Sequence, residues 1–214
     1  MSNIKIAVIN HSTVVRESAV SAFVGPLQKQ VSQHFAPIWG TTADLSFIPA
    51  GRTAPVTSWQ LVILDDADQA DALGYHDLTP EGLPVMKIFA HTAEMDGVSW
   101  TSVASHEALE SLADPWIDST VFVQQKDGSG RLWPLEVCDA VEGDLYKIDG
   151  VEVSNFVTPR WFIADAPAHA IFDYLQLVTA PFEVRSTGYM EYFEVAAGHT
   201  WQQINDDRHP GVSN

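Results

Sequence analysis

Apolar residues recur along the chain in two periods, and the alternation between them lays out the elements. Ile4 to Asn10, IKIAVIN, is a short β-branched run that predicts a buried strand. The period then lengthens: Val20, Phe23, Val24, Leu27, Val31 and Phe35 fall at three- and four-residue steps and predict a helix reaching Trp39. Ser12 or Thr13 is its expected cap, Glu17 sits in its first turns, and Pro26 should kink or interrupt it. After Gly40 the period shortens again. Ala43 to Pro49 alternates apolar and polar residues as a half-buried strand does, and Trp59 to Leu64, WQLVIL, suits a strand buried on both faces. Gly74 to Pro84 reads as a loop, and Val85 to Ala90 as one more strand.

The helical period returns at Ser105 to Pro115, SHEALESLADP. Ala108, Leu109, Leu112 and Ala113 would seat this helix against a core and turn its polar edge toward a cleft, with Pro115 ending it. Downstream, Ser119 to Gln124 reads as a strand, Asp127 to Gly130 as a turn, and Pro134 as the first residue of a short helix, PLEVCDAVE, that Gly143 ends. Leu145 to Ser154 is two alternating strands around Asp149-Gly150, the dipeptide a type I′ hairpin favours. The last fifty residues read as turns and short strands rich in aromatic side chains. The resulting picture is α+β: a mixed β-sheet with packed helices over residues 1–143, and a β-rich C-terminal lobe over residues 144–214.

Composition narrows the partners. Eleven Lys plus Arg stand against 28 Asp plus Glu, a formal charge of −17, and no basic run of the kind that grips phosphates occurs. Nucleic acid is not an expected partner, and no apolar run approaches the length of a membrane span. The single cysteine, Cys138, excludes an intramolecular disulfide framework, and the N-terminal residues lack the pattern of a signal peptide, so synthesis in the cytoplasm is expected.

The candidate chemistry sits on the Ser105 to Pro115 helix. His106 and Glu110 are four apart and share a face, with Glu107 beside them. This is a variant of the H-E-x-x-H zinc signature in which Glu110 replaces the second histidine. A carboxylate in that place adds negative charge to the ion and makes its water less acidic. An ordinary solvated acidic helix has the same spacing. Glu136 and Asp139, three apart on the short helix after Pro134, are the candidate further ligands, with Glu142 in reserve. Capping or solvent-facing roles fit those carboxylates as well. Cys138 between them reads as a buried apolar thiol. Asp65, Asp66 and Asp68 read as a plain acidic turn, with a stabilising calcium site as the alternative.

A strand, a helix and further strands, the last an edge strand leading into an H-E helix, resemble the N-terminal subdomain of zincin metallopeptidases. The chain is also similar to a family of uncharacterised bacterial and bacteriophage proteins. The residues that carry this are WQLVILDDAD, Gly74 to His76 with Gly82 to Pro84, Ser105 to Pro115, Glu136 to Asp139, and Phe156 to Phe162. The resemblance implies a zincin-like fold and a metal-dependent hydrolase acting on a peptide or protein. Its ion, Zn2+ or another divalent cation, would be held by His106, Glu110 and one of Glu136 or Asp139. Glu107 would take the proton from the metal's water, and His76 would stabilise the oxyanion. The alternative is a non-catalytic assembly protein on the same scaffold, a component of a phage virion with neighbouring structural proteins or copies of itself as partners.

Overall fold

The computed structural model describes residues 3–70, 72–124, 129–167, 169–196 and 201–205. The chain forms two compact units, Met1–Ile117 with Tyr146–Val153, and Asp118–Leu145 with Ser154–Asn214. The division falls after Ile117, not near Gly143 as the sequence suggested. The hairpin around Asp149 belongs to the first unit because its side chains and backbone are tied there: Lys29 Nζ donates to Asp149, Thr101 Oγ1 donates to the Glu152 carbonyl, and Tyr146 Oη meets His34 Nδ1. Asp149 and Gly150 both have positive φ, 51° and 84°, the backbone a type I′ turn requires.

The first unit is built on a five-stranded sheet of β1 (Ile4–Asn10), β2 (Ala43–Ile48), β3 (Trp59–Leu64), β4 (Gly74–Leu78) and β5 (Pro84–Phe89), in the order β2-β1-β3-β5-β4. β1, β2, β3 and β5 run parallel, and β4 alone runs antiparallel, paired with β5 at the edge. Two expectations are corrected here. The segment read as a loop from Gly74 contains a strand, and the strand expected at the edge, Val85 to Ala90, is interior. Tyr75, His76 and Asp77 pair with Lys87, Met86 and Val85, and the turn at Thr79 to Leu83 closes that hairpin. The inner strands have no exposed apolar face to signal: Ile6, Val8, Leu61, Ile63, Met86 and Ile88 are fully buried.

Between β1 and β2 run α1 (Glu17–Lys29), a π-helical stretch Gln30–Phe35 and α2 (Ala36–Trp39). Helical backbone continues through Pro26, and the register changes to π at Gln30. Neither Ser12 nor Thr13 caps α1. Both hydroxyls donate to the Asp65 carboxylate at the end of β3, with the Thr13 and Val14 amides, and α1 starts after extended Arg16. After β5 come α3 (Ala90–Met95) and α4 (Trp100–Ala113), the latter packed on β5 and β4.

The second unit is β-rich, as expected. Its four-stranded antiparallel sheet holds Trp201–Asn205, Tyr189–Glu194, Gly130–Pro134 and Thr120–Gln124 in that spatial order. One face is the core, where the Trp133 ring meets Trp161, Phe182 and Tyr192 at centroid distances of 5.7, 4.8 and 5.1 Å. The short helix expected from Pro134 is not there. Pro134 closes a strand by pairing with Thr120, the Leu135 amide extends that pairing to the Ser119 carbonyl, and only Asp139–Val141 turns, as a 3-10 helix. Asp127 and Gly128 of the expected turn lie outside the described residues.

Candidate metal centre

α4 begins at a side-chain cap, Ser99 Oγ accepting from the Thr101 amide, and ends at Ala113, two residues ahead of Pro115. It is a central helix. Of its 14 residues all but Trp100, Thr101, His106 and Ala113 are buried, and the buried set includes Glu107 and Glu110. The polar edge expected to face an open cleft is therefore largely enclosed. Side-chain exposure is 12% for His106, 9% for Glu107 and 4% for Glu110.

Across from this edge stands His76 of β4, itself 9% exposed. Its Nδ1 lies 3.2 Å from Glu107 Oε2 and 3.8 Å from Glu110 Oε2, while His106 Nε2 lies 3.1 Å from the same Glu110 oxygen. Glu110 Oε2 is thus flanked by two imidazoles, one a helical turn before it and one from the edge strand. The strand comes this close because Gly74, two residues before His76 and on the same face, has no side chain. A Cβ there would stand 2.6 Å from Val103 Cγ1 and 3.1 Å from Glu107 Oε1.

Enclosed carboxylates need compensating positive charge, supplied by imidazolium protons or by a cation. Donors placed about 2.0–2.2 Å from a tetrahedral zinc are separated from one another by roughly 3.4 Å. The spacings around Glu110 Oε2, 3.1 and 3.8 Å, bracket that value. Buried acidic and imidazole groups that can hold a metal ion are therefore present, His76 and His106 each standing beside Glu110.

Of the residues singled out in the sequence, His106, Glu107, Glu110 and His76 are brought together in the first unit. Glu136 and Asp139 lie in the second unit, on no common helix face: Asp139 is buried at the start of the 3-10 turn and Glu136 is half-buried ahead of it. Cys138 is buried and in no disulfide. The acidic turn is occupied by protein donors. Asp65 takes the Ser12 and Thr13 hydroxyls, which lower its pKa to about 2, Asp66 pairs with His91 Nδ1 at 2.7 Å, and Asp68 accepts from Lys87 Nζ at 2.7 Å. Two features had gone unread in the sequence, the strand that carries His76 and the need for glycine at position 74. The alternation in GYHDL is their only local signal.

No family model, no curated protein and no solved structure matches the chain.

Proposed function

We propose that the protein is a metal-dependent hydrolase, most plainly a peptidase of zincin-like design, with a divalent cation held by His76, His106 and Glu110 and with Glu107 as general base. The observation that carries this reading is the convergence of two imidazoles on Glu110 Oε2 at 3.1 and 3.8 Å, with Glu107 at the same strand histidine. Two nitrogen donors and one carboxylate suit zinc, with a position left for solvent. When bound, the ion supplies Lewis-acid polarisation of a water and of a carbonyl oxygen.

Glu107 does the proton work. Its carboxylate accepts a proton as the water oxygen attacks the carbonyl carbon, then returns it to the departing amine as the C–N bond breaks. His76 Nδ1 stands 3.2 Å from Glu107 Oε2, so the nitrogen that would hold the ion lies beside the carboxylate that takes the proton. A peptide substrate is favoured by the sheet. Among the described residues β4 pairs with β5 alone, so its outer edge would present main-chain groups to an extended chain next to His76.

The enclosure of the four side chains favours a second reading, in which the ion is structural and the scaffold serves assembly with neighbouring proteins. Glu107→Gln separates the two. On the first reading this variant keeps its metal and loses cleavage of a fluorogenic peptide library that the parent cleaves. On the second, parent and variant are alike in that assay, and chelation lowers thermal stability in both.

A further inference from the structure

The outward face of the second unit's sheet carries a continuous apolar row. Phe122 pairs with Leu132, Leu132 with Phe193, and Phe193 with Trp201, so the row crosses all four strands in register. Paired residues in antiparallel strands share a face, and neighbouring strands are about 4.8 Å apart, so the row is on the order of 14 Å long. Its two ends are open to solvent, with Phe122 59% and Trp201 47% exposed.

Phe122 lies down on the sheet. A Cβ on Gly130, the residue paired with Gln124, would fall 2.4 Å from Phe122 Cε2, so the ring covers the bare glycine backbone and turns its other side outward. Trp201 meets Phe193 edge to face at 5.7 Å, which fixes the second exposed ring against the row.

The polar side chains beside the row are Thr120, Gln124, Glu191, Gln203 and Asn205, all exposed. Among the described residues no lysine, arginine or histidine stands on this face. Arg131 projects to the other side, over the Tyr192 ring and onto Glu194. Stacking platforms for single-stranded nucleic acid need a positive groove, which this face lacks. A second copy would bring together two chains of charge −17 each. An anionic membrane surface is disfavoured for the same reason.

We propose that this face binds a neutral oligosaccharide. Sugar rings present apolar C–H faces that stack on aromatic rings, and hydroxyls that both donate to and accept from amide and hydroxyl side chains. A short oligosaccharide matches the length of the row, the amides of Gln124 and Gln203 flank it, and Glu191 accepts from hydroxyl groups. None of this depends on the metal centre in the first unit.

The test is binding of the full chain to a printed array of neutral glycans, followed by calorimetry on the best oligosaccharide with Phe122→Ala and Trp201→Ala. Both side chains are exposed, so folding is unaffected, as circular dichroism would verify. The expected result is binding to the parent that falls about tenfold or more in each variant, as the loss of a stacking ring entails. No glycan binding overturns the proposal, as does binding that both variants retain. A parent dimer in analytical ultracentrifugation that Phe122→Ala dissociates also overturns it, because a second copy then covers the face.

Discussion

His76 Nδ1 lies 3.2 Å from Glu107 Oε2, across the gap between an edge strand and a buried helix. Thirty-one residues separate the two in the chain, and only the antiparallel pairing of β4 with β5 brings them together. On the proposed mechanism this contact places the base beside a nitrogen that would hold the ion. Glu107→Gln preserves shape but cannot take a proton, so kcat should fall by about 10^2- to 10^4-fold. Metal content and thermal stability should stay near parental values, which elemental analysis and a melting curve check.

Gly74 governs how closely that helix and strand approach. The added methyl of Gly74→Ala would meet Val103 Cγ1 at 2.6 Å and the Lys87 carbonyl at 3.0 Å, and the backbone contact has no rotamer by which to yield. Overpacking of this kind costs about 1–3 kcal/mol. The variant should unfold at lower urea and hold its cation more weakly, since the displacement falls on Glu107 and its neighbours. A parental urea midpoint would show that β4 has more room than its contacts indicate.

Acid stability should depend on Asp65. Four hydrogen bonds from Ser12, Thr13 and Val14 lower its pKa from an ordinary 3.8 to about 2. A carboxyl whose folded pKa is depressed contributes stability that is fully present above the unfolded value and is lost as pH falls through the folded one. The window is therefore pH 4 to 2. Asp65→Asn should lower stability at neutral pH and flatten the acid limb in that window, as read from urea midpoints across pH. An unchanged acid limb would show that other carboxylates dominate there.

In the second unit Asp173 is the buried polar residue with most to lose. It is fully buried, and its two oxygens accept from Asn155 Nδ2 at 2.7 Å and from the Val178 amide at 2.8 Å. Asp173→Ala strands both donors, at a cost of about 3 kcal/mol. Asp173→Asn keeps one acceptor and should cost less. Tryptophan fluorescence in urea reads this directly, because Trp133 and Trp161 lie in the same core.

Much of this was legible in the sequence where period and burial coincide. β1 and β3 are where their apolar runs placed them, α4 covers the expected helix from Ser105 to Ala113 but begins earlier, at Trp100, and Asp149-Gly150 makes the expected turn. His106 and Glu110 meet because four residues are one helical turn. The rest depends on pairing that no local pattern records. β4 is half-buried except at exposed Asp77, so the alternation in GYHDL is weak, and its strand character comes from β5 beside it. Pro134 has the same cause: a residue that starts helices well is held at the end of a strand by Thr120. Ser12 and Thr13 are good caps in isolation, but Asp65, 52 residues from Thr13 in the chain, takes both hydroxyls first.

The most direct test of the metal centre is elemental analysis of protein purified without an affinity tag, for the parent and for His76→Ala and His106→Ala, alongside circular dichroism. The account predicts about one equivalent of zinc or another divalent transition metal in the parent, and its loss in both folded variants. Parent protein that stays metal-free after incubation with zinc and desalting, or metal retained in both variants, would contradict it.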